Sequence, residues 1–167
     1  GKELYLPDNT LSKIKIHYYD SDTADIHTVT AHFTNPDIHV KISESDDRFF
    51  VLEINPLKRI FKNCWLYLTI NDNTNTQNAI LSDSILIHMS NQFKGEINSY
   101  IGFKDTVKII GDIIVKKDGR LVASPGTILE FQGNYKIDVF GDTGFNGTSV
   151  EPIIMNARDT SYYFRIS

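Results

Sequence analysis

The sequence predicts an all-β chain in two parts, an antiparallel β-sandwich followed by stacked parallel coils, and three observations carry that prediction. Apolar and polar residues alternate in short runs from Leu11 to Met89. Clusters of Asn, Asp, Ser and Pro break those runs at roughly even intervals. Beyond Ile113, apolar residues recur in pairs 24 residues apart.

In the first part each run reads as one half-buried strand, because side chains alternate between the two faces of a sheet. Ile14, Ile16 and Tyr18 share one face, while Lys13, Lys15 and His17 share the other. Val29, Ala31 and Phe33 form the apolar face of the next strand, and Ile38, Val40 and Ile42 follow the turn Asn35-Pro36-Asp37. Phe50, Leu52 and Ile54 lead into Asn55-Pro56, where a strand ends. Cys64, Leu66, Leu68 and Ile70 mark the strongest strand of this half. A turn cluster from Asn71 to Thr76 follows it, and Ile85, Ile87 and Met89 close the series. Only Pro56 to Phe61 resembles a helical turn. Six or seven short strands with such punctuation predict an immunoglobulin-like β-sandwich over residues 1–91, although the Cys…Trp…Cys pattern is missing.

The grammar changes after Ser90. Residues 92–104 read as a linker, and residues 105–167 as about two coils. The offset of 24 pairs Ile113 with Ile137, Val115 with Val139, Leu121 with Phe145, Leu129 with Ile153 and Phe131 with Met155, and it pairs Asp118 with Asp142 at a turn. Such a step stacks coil on coil if each coil holds three short strands whose inward residues superpose. Ile113, Val115, Leu121, Leu129, Phe131, Ile137, Val139 and Ile153 should then share one core.

The segment from Ile113 to Phe131, with its Gly119 turn, Leu121 strand, Pro125-Gly126-Thr127 corner and Leu129-x-Phe131 strand, resembles the opening coil of secreted bacterial right-handed parallel β-helix proteins. Tyr135 to Gly141 and Gly147-Thr148 with Glu151 to Ile154 resemble the strands and corner that come next. The resemblance implies a right-handed coil and a secreted, periplasmic or cell-surface location. It also implies kinship with adhesins and polysaccharide lyases, which often carry sandwich domains in front.

Composition narrows the classes further. The net charge of −4 comes from scattered residues without a basic run, so no nucleic-acid partner is expected. No stretch is long and apolar enough to span a bilayer as a helix. The chain opens on Gly1 in place of Met, which points to a processed or an engineered start, the former consistent with removal of a targeting segment. The single cysteine, Cys64, excludes an intrachain disulfide and a multi-cysteine metal cage, and its alternation with leucines reads as a small buried hydrophobe.

Candidate sites are few. Asp20, Asp22 and Asp25 offer carboxylates within one loop, but the EF-hand glycine and closing glutamate are absent, so a solvated turn is expected with a weak Ca²⁺ site as the alternative. His17, His27, His32, His39 and His88 lack the spacing that puts a metal pair on one face. No nucleophile elbow, phosphate loop or zincin motif occurs, and neither catalytic residues nor a cofactor is expected. Trp65 and Tyr67 face away from Leu66 and Leu68, and Tyr18-Tyr19 and Tyr162-Tyr163 set rings side by side. Such rings stack on sugars or fill a protein contact, including one between the two halves.

The expected function is a secreted or surface-exposed binding or adhesion module without catalysis, with a glycan or another surface protein as partner. The alternative is the amino-terminal portion of a carbohydrate-active β-helix enzyme whose catalytic coils lie beyond this chain. Because a terminal coil leaves an open strand edge, self-association through that edge is a further expectation.

Overall fold

The computed structural model describes residues 3–18, 27–46, 48–72 and 80–157, and among them it contains strands and turns with no helix. The first half holds β1 (Glu3–Pro7), β2 (Ser12–His17), β3 (His27–Phe33), β4 (Ile38–Asp46), β5 (Phe49–Pro56), β6 (Lys62–Asp72) and β7 (Ile80–Ser90). One sheet runs in the order β1-β7-β6-β3, with β1 parallel to β7 and the other pairs antiparallel. The antiparallel set β2-β5-β4 forms part of a second sheet.

The alternation read from the sequence sends Cys64, Leu66, Ile87 and Met89 of the first sheet into one apolar core with Ile14, Phe50, Leu52 and Ile54 of the second. At about 25 cal/mol per Å² of apolar surface removed from water, each fully buried Leu, Ile or Phe contributes about 1.5–3 kcal/mol. Two details differ from expectation. Ile42 is exposed, because the far half of β4 runs past the core and carries exposed residues from Lys41 to Asp46. Residues 57–61, where a helical turn is expected, form an irregular connection between the two sheets that buries Ile60 and leaves Phe61 outside.

Residues 92–104, expected as a linker, hold β8 (Gln92–Ile97) and β9 (Tyr100–Phe103). They are followed by β10 (Thr106–Val115), β11 (Arg120–Ala123), β12 (Ile128–Phe131), β13 (Ile137–Val139), β14 (Asp142–Phe145) and β15 (Ile154–Ala157). Every pairing among these eight strands is parallel. The strand β10 spans two ladders: Thr106 to Ile109 pair with β12, and Ile113 to Val115 pair with β13. A third ladder runs β9-β11-β14. The strand β10 also pairs with β8 on its other side, so three parallel ladders run through this half.

The sequence pairs Ile113–Ile137 and Val115–Val139 stand in register. The other pairs shift: Leu121 lies opposite Thr143, Ala123 opposite Phe145, Leu129 opposite Met155, and Phe131 opposite Ala157, while Asp142 pairs with Arg120 and not Asp118. The step is not constant because connections of different length lie between the strands. A two-residue change keeps the inward face inward, so the core survives the shift. Ile113, Val115, Leu121, Leu129, Phe131, Ile137 and Val139 are all buried, and Ile153 packs partly against them. At the Pro125-Gly126 corner, Gly126 has φ +75°, and the buried Thr127 hydroxyl donates to Ser124 O at 2.7 Å.

The two halves share a sheet. The strand β9 pairs with β11 on one side and antiparallel with β2 on the other, giving the six-strand order β14-β11-β9-β2-β5-β4. Side chains bind the same joint: Arg59 Nη2 donates to Asp105 Oδ2 at 2.8 Å, and Asn9 Nδ2 donates to the same oxygen at 3.0 Å.

Candidate binding surface

The outer face of the sheet β1-β7-β6-β3 is built by the residues that alternate with its core. Across the strands they fall into rows set by register. Tyr5, His88 and Asn63 form one row; Glu3, Leu86 and Trp65 the next; Ser84, Tyr67 and His32 the third; and Ser82, Thr69 and Thr30 the fourth. Trp65 and Tyr67 stand two residues apart, about 7 Å along the strand, and remain 41% and 40% exposed. That exposure leaves ring surface available on a sheet whose other face is closed.

The rows are stiffened by ring contacts. His32 stacks on Tyr67 with centroids 5.3 Å apart and planes 20° apart, and Tyr5 stacks on His88 at 4.5 Å and 15°. Lys94 Nζ lies 4.8 Å from the centre of the Tyr5 ring. Asn63 Oδ1 holds His88 Nδ1 at 3.0 Å, and Glu3 Oε2 lies 3.4 Å from His88 Nε2. Past the end of β3, the Thr34 hydroxyl accepts from Trp65 N at 3.1 Å and Thr34 N donates to Trp65 O at 3.0 Å, which fixes the backbone under the indole.

The sequence candidates separate. Trp65 and Tyr67 share this face, but Tyr18 lies on the other sheet, with its hydroxyl donating to Asp46 O at 2.8 Å and its ring 6.0 Å from Phe50. It packs against the core. Tyr19, Asp20, Asp22, Asp25, Tyr162 and Tyr163 lie outside the described residues. Tyr5, His32 and His88 join the surface without having been singled out; the alternation of Tyr5 with Leu4 and Leu6, and of His32 with Ala31 and Phe33, was the available signal.

The displaced titrations have structural causes. Burial raises the Asp8 carboxyl above its ordinary value against the opposing pull of Arg59, whose Nε is 3.4 Å from Asp8 Oδ2. Hydrogen bonding from Lys41, 2.8 Å away, lowers Glu53. Burial pushes the Cys64 thiol up to about 11. Among the described residues no group of three or more His, Cys, Asp or Glu is arranged to hold a metal, and no helix is long and apolar enough to cross a membrane.

No family model and no curated protein matches the chain. Among solved structures, it is similar to an endo-fucoidan hydrolase of glycoside hydrolase family 107, at 22% identity and a TM-score of 0.39 over 54% of this chain and 13% of that one. It is also similar to a cysteine protease inhibitor from Entamoeba histolytica, at 15% identity and a TM-score of 0.32 over 52% of this chain and 85% of that one. Both likenesses are weak and partial.

Proposed function

We propose that this chain is a non-catalytic binding module of a secreted, periplasmic or cell-surface protein, and that it takes a glycan on the outer face of the β1-β7-β6-β3 sheet. The observation that carries the reading is the side-by-side exposure of Trp65 and Tyr67, braced from below and from the side. Preorganised rings lose little conformational freedom on binding and offer broad apolar faces to sugar C–H groups.

The architecture we assign is an immunoglobulin-like sandwich up to about residue 91, continued by the first coils of a right-handed parallel β-helix from Gln92. The parallel pairing of first strand with last, and the grouping of β7-β6-β3 against β2-β5-β4, support the first part. The three all-parallel ladders support the second. The shared sheet through β9 and β2 would hold the binding face at a fixed angle to the coil axis.

A glycan array probed with the whole chain and with Trp65→Ala and Tyr67→Ala tests the function. Retention of one glycan class that falls about 30-fold in either variant is expected, the loss of a roughly 2 kcal/mol anchor. Retention of nothing, or retention indifferent to both substitutions, would overturn it.

The second reading, the amino-terminal portion of a carbohydrate-active enzyme, draws on the edge left by β13, β14 and β15, each paired on one side only among the described residues. Further parallel turns could add there and carry a groove. Release of reducing ends from a polysaccharide by the natural gene product would favour it.

A further inference from the structure

We infer that the glycan unit seated beside Tyr67 is an uncharged pyranose; this rests on the binding function proposed above and names the chemistry of its ligand. The Tyr67 ring stands between two neighbours across the sheet, His32 on β3 and Ser84 on β7. His32 covers one ring face by stacking. The side chain on the other side is a short serine, so that face looks into a hollow of about 420 Å³ whose lining includes Tyr67, Thr69, Ser82, Asp83, Ser84 and His32.

The hollow therefore offers one flat apolar wall and three hydroxyls. Each hydroxyl both donates and accepts, which suits the donor-acceptor character of sugar hydroxyls. A pyranose can lay its C–H face on Tyr67 while its rim hydroxyls meet Ser84, Ser82 and Thr69.

Charge decides between ligand classes. The one carboxylate at the hollow, Asp83, stands opposite Leu68 in register, and Leu68 is buried in the core. Asp83 is nonetheless exposed and lines the hollow, with its Oδ1 accepting from Ser84 N at 2.8 Å, so the hollow carries a negative charge of its own. Among the described residues no lysine or arginine lines the hollow. A sulfate or uronate would lose hydration there without gaining a counter-charge, and the chain's net charge of −4 would repel it at long range.

The test is isothermal titration of the whole chain with neutral oligosaccharides (gluco-, xylo-, manno- and galacto-series) and with fucoidan, carrageenan and alginate fragments, at about 50 mM and about 500 mM NaCl. The same titrations are run on Tyr67→Ala, Ser84→Ala and Thr69→Val, with circular dichroism as the folding control. A neutral series should bind with affinity changing less than about two-fold with salt, because no ion pair is screened. Tyr67→Ala should lose at least about ten-fold, and the hydroxyl removals about three- to ten-fold each. Preferential binding of an anionic series that weakens with salt and depends on Tyr67 would overturn this inference and leave the glycan reading standing. Neutral binding untouched by Tyr67→Ala, Ser84→Ala and Thr69→Val would remove the hollow as the site. Binding of neither class would bring down the glycan reading itself.

Discussion

Gly119 closes the turn between β10 and β11, and adding one methyl group there tests how closely that turn packs on the end of β8. A Cβ at Gly119 would overlap the carbonyl oxygen of Ile97 at the end of β8, and would stand 2.9 Å from the Ile97 carbonyl carbon and 3.0 Å from Lys116 O. These are backbone atoms already committed: Ile97 O accepts from Lys116 N at 2.9 Å, and Lys116 O accepts from Gly119 N at 2.7 Å. Relief requires the turn and the end of β8 to separate. That costs about 1 kcal/mol for a hydrogen bond lost or stretched and about 1–3 kcal/mol for overpacking against a rigid neighbour, so about 3 kcal/mol is expected for Gly119→Ala. For a chain of this size the melting temperature should fall by about 6–12 °C. Gly144 is the control. A Cβ there meets nothing nearer than Val122 Cγ2 at 3.6 Å, an ordinary contact, and the substitution should change stability by less than about 1 kcal/mol. Thermal and urea melts of both variants make the comparison. If Gly119→Ala melts within about 2 °C of the parent, or if Gly144→Ala is equally damaging, the close-packing reasoning is wrong.

Other expectations follow from single contacts. Phe103 is fully buried with its ring 5.1 Å from Phe93 in an edge-on contact, and Phe103→Ala should cost about 3–5 kcal/mol in urea unfolding. The Cys64 thiol should resist disulfide reagents in the native chain at mildly alkaline pH and react once urea opens the core, because its thiolate would be buried. A raised thiol pKa favours the protonated form in the fold, so this group's contribution to stability is complete below pH 9, the unfolded value, and is lost as pH rises through about 11. Arg59→Leu removes the partner of the buried Asp8 and of Asp105, and should destabilise by about 1–2 kcal/mol at neutral pH, discounted for the partial exposure of Arg59. That deficit should shrink on acidification, since burial already raises the Asp8 carboxyl and a protonated Asp8 has less need of a cation; a deficit that grows in acid would contradict the assignment.

The strands β2 to β7 were legible because alternation reports directly on a sheet with one closed face, and Ile14, Phe50, Leu52, Leu66 and Ile87 all point where their spacing puts them. The strand β1 was missed: it is short, and its place beside β7 comes from a parallel pairing that no local turn announces. The strands β8 and β9 hid for a different reason. Phe93 pairs with Ile109 sixteen residues on and Ile101 with Leu121 twenty residues on, so a fixed step of 24 passes over them. The same variation misplaced Leu129, whose partner Met155 is 26 residues away. At the surface, Trp65 and Tyr67 announced themselves as outward aromatics on one strand. Their neighbours His32, Tyr5 and His88 arrive from three other strands, and register between distant strands is set by packing that no local pattern records.

Trp65 is the chain's single tryptophan, so its fluorescence reports on the proposed binding face without interference from any other indole. Titrating the parent chain with neutral oligosaccharides should give a saturable blue shift or intensity change as the 41%-exposed ring is covered, and Tyr67→Ala should abolish it at the same concentrations. A glycan retained by the protein with Trp65 emission unchanged, or an emission change that persists in Tyr67→Ala, would contradict the claim that these two rings form one site.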